Sequence, residues 1–114
     1  MFTHAILRTP CPELIHGITT ASLGTPDYTQ ALAQHEAYAD ILEDCGLNLL
    51  VLDADSRYPD SVFIEDVALC TPNCAVITRP GALSRRGETL GIEAALRDYY
   101  QHIEYIYATG TLDA

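Results

Sequence analysis

At 114 residues, with 48% apolar side chains and no low-complexity stretch, the chain is long enough for one folded domain with a modest core and too short for two. Sixteen acidic against six basic residues give a formal charge of −10, which argues against nucleic acid or an anionic membrane as partner and suits a cationic ligand. No run approaches the ~20 apolar residues of a membrane span, the opening MFTHAILRTP lacks the regions of a signal peptide, and four cysteines without an export signal read as reduced thiols of the cytoplasm.

In chain order, a strand is expected at 5–8, followed by a long connection over 10–25 that contains Gly17 and Gly24. A loop of that length is expected to be a lid, binding loop or plain surface loop. A helix is expected at 26–45, with Thr25 capping, Pro26 in the first turn and Gly46 as the left-handed stop. Leu32, His35, Ala39 and Leu42 share one face of it and are expected to be core. A strand follows at 49–52. The second pass has strands at 67–69 and 75–78 around a turn at 71–73, a helix at 88–100 with Ile92, Ala95, Leu96 and Tyr99 facing the core, and a strand at 103–107. Ile6-Leu7-Arg8-Thr9-Pro10 and Val76-Ile77-Thr78-Arg79-Pro80 look alike, seventy residues apart. Two strand-helix-strand repeats, about 1–57 and 58–114, are therefore expected within a single α/β domain.

The chemistry concentrates between Tyr58 and Thr89. Asp60, Glu65 and Asp66 surround the apolar run Val62-Phe63-Ile64, which reads as a short buried strand. On a regular strand Glu65 and Asp66 would point to opposite faces and do different work. A guanidinium is planar and presents its N–H donors as a fork, so carboxylates in its plane recognise it. Arg85, beyond the Pro80-Gly81 turn, can hold a carboxylate at the other end of such a ligand. Three of the six basic residues, Arg79, Arg85 and Arg86, fall in this one loop region, which favours a site over scattered surface ion pairs.

PDSVFIED, TRPG and SRRGET, together with the opening HAILRTP and the closing GTLDA, resemble the dimethylarginine dimethylaminohydrolase family of the guanidino-modifying pentein superfamily, along essentially the whole chain. The resemblance implies a partial α/β propeller with about two of the usual five strand-helix-strand blades. It implies that Asp60 and Asp66 bind a substrate guanidinium with Glu65 beside them, that Arg85 binds the α-carboxylate, and that Ile18 offers its backbone carbonyl to the α-amine from a mobile lid. Asp113 would be the acidic partner of a catalytic histidine, one methylene shorter than the family's common glutamate. The implied reaction is metal-free and cofactor-free covalent thiol catalysis, releasing dimethylamine and citrulline from methylated arginine.

The resemblance also locates the family's catalytic histidine, nucleophilic cysteine and second carboxylate-binding arginine beyond the last residue here, so the chain alone is expected to bind a guanidine without turning it over. Among its own candidates, Cys45, Cys70 and Cys74 read as small buried thiols, and Cys70-x-x-x-Cys74 lacks further ligands for zinc. Cys11 and His16 share the proposed lid, while His4 and His35 read as packed or solvated. Exposed strand edges and blade faces would favour a homo-oligomer or a complementary C-terminal half. Two other functions stay open: a non-enzymatic module for arginine or another guanidine, and an assembly unit that keeps the motif only by ancestry.

Overall fold

The computed structural model describes residues 1–113, a mixed α/β arrangement that divides into two compact units, 1–62 and 63–114.

In the first unit β1 (His4–Arg8) and β2 (Asn48–Leu52) pair in parallel, with His4 opposite Asn48 and Arg8 opposite Leu52. A parallel pair requires a crossover, and α1 (Tyr28–Asp44) provides it. Its start is two residues later than expected. Asp27, not Thr25, is the cap, its carboxylate accepting the Gln30 N–H at 2.7 Å, which leaves Pro26 outside the helix. The C-terminal expectation holds: Gly46 has φ of 86°, and its amide bonds back to Glu43 O at 2.8 Å.

The stripe Leu32, His35, Ala39 and Leu42 is the less exposed face of α1, yet no residue of this 17-residue helix is fully buried. The expectation that it forms core is corrected to a half-buried face. The buried groups of this unit are instead Leu7, Pro10 and Cys11, with Asp60 and Ser61. The long connection is not wholly irregular, because Pro12–His16 forms a 3-10 helix.

In the second unit β3 (Ala68–Cys70) and β4 (Ala75–Ile77) form an antiparallel hairpin, closed by the Thr71 N–H to Cys74 O bond at 3.0 Å. α2 (Thr89–Leu96) then crosses to β5 (Ile103–Tyr105), which pairs with β4 in parallel. Ile92, Ala95 and Leu96 bury the inner face of α2 with Val67, Ala75 and Ile77 as the core. Each fully buried aliphatic side chain contributes roughly 1.5–3 kcal/mol.

Several expectations change here. Val62-Phe63-Ile64 is not a strand: it leads from a turn into a 3-10 helix at Ile64–Val67, and Phe63 is 46% exposed. The Asp66 N–H bonds to Phe63 O at 3.2 Å, so the segment satisfies its backbone locally and has no ladder to join. The helix expected at 88–100 is the eight-residue α2, shorter at its C-terminal end and preceded by a 3-10 helix at Leu83–Glu88. It stops before Tyr99 because Tyr100 turns back, its hydroxyl donating to Thr71 O at 2.9 Å, and Tyr99 is left exposed.

The two look-alike segments occupy like positions: Ile6 and Leu7 lie in β1, Val76 and Ile77 in β4, and Pro10 and Pro80 are both fully buried. Among the described residues no helix is long and apolar enough to cross a membrane.

Candidate functional site

Within 1–62, Asp60 stands at the end of a tightly wound segment. The Tyr58 N–H bonds to Asp55 O at 3.1 Å, the Ser61 N–H to Tyr58 O at 3.1 Å, and the Ser61 hydroxyl donates to Asp55 O at 3.3 Å. Arg57 closes the outer side, its guanidinium on the Asp55 carboxylate at 2.8 Å and 5.5 Å from the centre of the Tyr58 ring. The Arg57 hydrogen bond holds the Asp55 carboxyl below the usual carboxylate range.

Asp60 itself is buried. Its Oδ2 accepts the Ile18 N–H at 2.9 Å. A Cβ on Gly17 would come within 2.4 Å of Asp60 Oδ1. Gly17 has an ordinary φ of −58°, so what the site needs from glycine is the missing side chain. Asp60 and Ile18 are thus brought together, by a bond through the Ile18 amide that leaves its carbonyl for other use.

Cys11, in the same unit, is 1% exposed, with its thiol 3.7 Å from Tyr58 O. Burial, reinforced by the neighbouring Glu13, pushes that thiol up, the opposite of what a nucleophile needs. His16 is exposed at the end of its 3-10 helix. Cys45 and Cys70 are exposed and Cys74 is half-buried, correcting the expectation of small buried thiols.

Within 63–114, the 3-10 helix Ile64–Val67 is pinned at its end. Val67 is fully buried, and the Thr78 hydroxyl donates to the Asp66 carbonyl at 2.7 Å. This aims the Asp66 carboxylate at Arg85, whose Nη1 donates to Asp66 Oδ2 at 2.6 Å. The same guanidinium meets Glu88 side-on, Nε donating to Oε1 at 3.1 Å and Nη2 to Oε2 at 2.9 Å. Nη2 also donates to Phe63 O at 3.1 Å. The side chains of Arg85, Glu88 and Asp66 are 11%, 4% and 27% exposed. Burial works against the Arg85 charge, but the hydrogen bonds from Glu88 and then Asp66 outweigh it and raise the arginine above its ordinary value.

Two carboxylates around one guanidinium leave this cluster with a formal charge of −1, and Asp66 is its most exposed member. An arrangement of this kind attracts a second cation and presents it with a carboxylate already fixed in orientation. Glu65, one residue along the same 3-10 helix, is exposed. It and Asp66 differ in surroundings as expected, although the reason is the turn of a 3-10 helix and not strand alternation. Asp113 is exposed and engaged elsewhere, its Oδ2 accepting the Gly81 N–H at 3.3 Å.

Glu88 was absent from the sequence-based set. Its signal was the Arg85-x-x-Glu88 spacing: in a 3-10 helix, with three residues per turn, positions i and i+3 stack directly. Gly17 was noted only as a loop residue, and its role depends on a contact with Asp60 that sequence spacing does not encode.

No family model matches the chain. It is 51% identical over its whole length to dimethylarginine dimethylaminohydrolase of Pseudomonas aeruginosa, covering 45% of that protein, and 40% identical over 96% of its length to the enzyme of the same name from Streptomyces coelicolor, covering 43%. Among solved structures it matches a cysteine-to-serine variant of the P. aeruginosa enzyme complexed with citrulline, with a TM-score of 0.98 over the whole chain and 45% of that structure. An arginine dihydrolase from cyanobacteria, 14% identical with a TM-score of 0.73 over 96% of this chain and 15% of its own, shares the fold. The chain is thus similar over essentially its whole length to dimethylarginine dimethylaminohydrolases, and it spans a little under half the length of the curated relatives it matches.

Proposed function

We propose that this chain supplies substrate-recognition groups of a methylarginine hydrolase, and that turnover needs a thiol and an imidazole contributed from outside it. The observation that carries this is the Asp66–Arg85–Glu88 cluster, with its net negative charge and a fixed, partly exposed carboxylate. Asp66 takes the ligand guanidinium, with Glu65 at the pocket's edge. Arg85 holds Asp66 in orientation and meets the α-carboxylate as an arginine already fixed in place. Within 1–62, Asp60 is a further carboxylate suited to a cationic group, and it fixes the loop that carries the Ile18 carbonyl, an acceptor suited to an amine.

Asp113 has the role of acidic partner to an imidazole. The chemistry is attack by a thiolate on the guanidinium carbon, loss of protonated dimethylamine, and hydrolysis of the resulting thiouronium to citrulline with return of the thiol. The buried, up-shifted Cys11 is a poor candidate for that thiol, which supports an external one. A mixed α/β chain with a parallel strand-helix-strand unit in each half is what two blades of a five-bladed propeller would contain. Its unpaired edges would be covered by a homo-oligomer or by a complementary half in the cytoplasm.

The test is to mix the purified chain with a polypeptide corresponding to the remaining length of the family and to assay citrulline from NG,NG-dimethylarginine. Activity from the mixture, lost with Asp66→Ala, is the expected result. Activity from the chain alone, or from an Asp66→Ala mixture, overturns it. A purely non-enzymatic guanidine-binding module is the second reading, favoured by the buried Cys11 thiol. It predicts ligand binding with no citrulline from any mixture.

A further inference from the structure

Arg79 and Arg86 line one open cleft of about 320 Å³ in the unit 63–114, and no role assigned above uses it. Each gives a donor to a backbone carbonyl, Arg79 Nη1 to Gly110 O at 3.0 Å and Arg86 Nε to Pro80 O at 2.9 Å. Those bonds orient both guanidinium groups without neutralising them. Among the described residues neither arginine forms an ion pair, whereas Arg57, Arg85 and Arg97 each do. In a chain with sixteen carboxylates and six basic residues, two uncompensated guanidiniums lining one concavity run against the overall charge.

The one carboxylate in the cleft lining, Glu93, is already taken, accepting from the Tyr105 hydroxyl at 2.8 Å and from Arg97. The remaining walls are largely apolar. Leu90 and Tyr107 are 73% and 75% exposed there, beside Ile106 and the Tyr105 ring, whose centre lies 6.2 Å from that of Tyr107.

We propose that this cleft is a second ligand site, taking an organic carboxylate on an apolar body, with Arg86 and Arg79 holding the carboxylate and Leu90 and Tyr107 covering the body. The cleft differs from the Asp66–Arg85–Glu88 cluster in that Arg85 already meets two carboxylates, whereas among the described residues Arg79 and Arg86 form no ion pair. Inorganic oxyanions would satisfy the guanidiniums and leave the apolar walls wet, so the walls select an organic ligand.

The experiment is an NMR titration of the isotope-labelled full chain with benzoate, with its neutral isostere benzamide, and with inorganic sulfate, accompanied by light scattering. Saturable benzoate shifts at 79–81, 86–90 and 106–110 are expected, weakened about tenfold by Arg86→Gln or Arg79→Gln, as loss of one charge-assisted hydrogen bond implies. Benzamide and sulfate are expected to bind much more weakly. Equal binding of benzamide, an unchanged affinity in both variants, or shifts centred on Asp66 and Glu88 would overturn the proposal. If both variants fail to fold, the benzoate-to-benzamide difference in the unmodified chain decides it alone. Scattering that reveals a dimer dissociated by benzoate would assign the cleft to an acidic side chain of a second copy, and would equally overturn the small-ligand proposal.

Discussion

Asp60 in 1–62 accepts the Ile18 amide and occupies the space that Gly17 leaves, whereas Asp66 in 63–114 meets a guanidinium that a buried second carboxylate fixes from the other side. The surroundings differ in the same sense. The 17-residue α1 of the first unit buries no residue, while the eight-residue α2 of the second buries three. Of the two carboxylates proposed for recognition, one therefore depends on where a loop lies, and the other on a charge balance at the edge of a packed core. Perturbing loop geometry should affect the first more, and perturbing the Arg85 charge should affect the second more.

The largest effect is expected from Arg85→Ala, which strands the 4%-exposed Glu88 carboxylate. Leaving a buried charge unpaired costs about 3–5 kcal/mol, measurable as a lower urea midpoint. A loss below about 1 kcal/mol, the range of an exposed pair, would mean that the cluster is solvated and the contrast false. Gly17→Ala comes next. Its methyl would meet Asp60 Oδ1 at 2.4 Å, so the loop or the carboxylate must move, at about 1–3 kcal/mol by analogy with overpacking. Hydrogen exchange at the Ile18 amide should accelerate while amides of 63–114 keep their protection. Unchanged exchange at Ile18 would show that Asp60 does not hold the loop.

Asp27→Ala is expected to cost about 1 kcal/mol by removing the Gln30 cap, and to fray the start of α1 in the same exchange experiment.

The smallest effect concerns pH. The Tyr105 hydroxyl and then Arg97 hold the Glu93 carboxyl below its ordinary value. Its contribution is therefore complete above the unfolded carboxylate range and is lost as pH falls through the lowered folded value. Acid titration of Tm should show a shallower loss for Glu93→Gln than for the unmodified chain. Identical acid limbs would remove this group from the account.

Much of the fold was legible because its signals are local. Strand positions came within a residue or two, Gly46 ended α1 as a left-handed glycine must, and the face of α1 carrying Leu32, His35, Ala39 and Leu42 is its less exposed one. Where several local structures suit one pattern, the sequence was ambiguous. Val62-Phe63-Ile64 fits a short strand by composition, but turns in the structure because its backbone bonds are made within the segment. The Arg85–Glu88 contact was hidden by the same ambiguity, since its three-residue spacing signifies a stacked pair only once 83–88 is known to be a 3-10 helix. Contacts between residues far apart, such as Gly17 against Asp60, leave no periodicity to read. The candidate site residues came from the charged groups crowded between Tyr58 and Thr89 and from the family resemblance, and the structure adds that Asp66 and Arg85 are partners of each other.

The central claim, that this chain recognises a guanidinium through Asp66, is most directly tested by calorimetry with NG,NG-dimethylarginine on the unmodified chain and on Asp66→Asn. Saturable binding to the former, at least about tenfold weaker in the latter, is the predicted result, corresponding to loss of a charge-assisted contact. Absence of saturable binding to the unmodified, folded chain, or equal binding to both proteins, would contradict it.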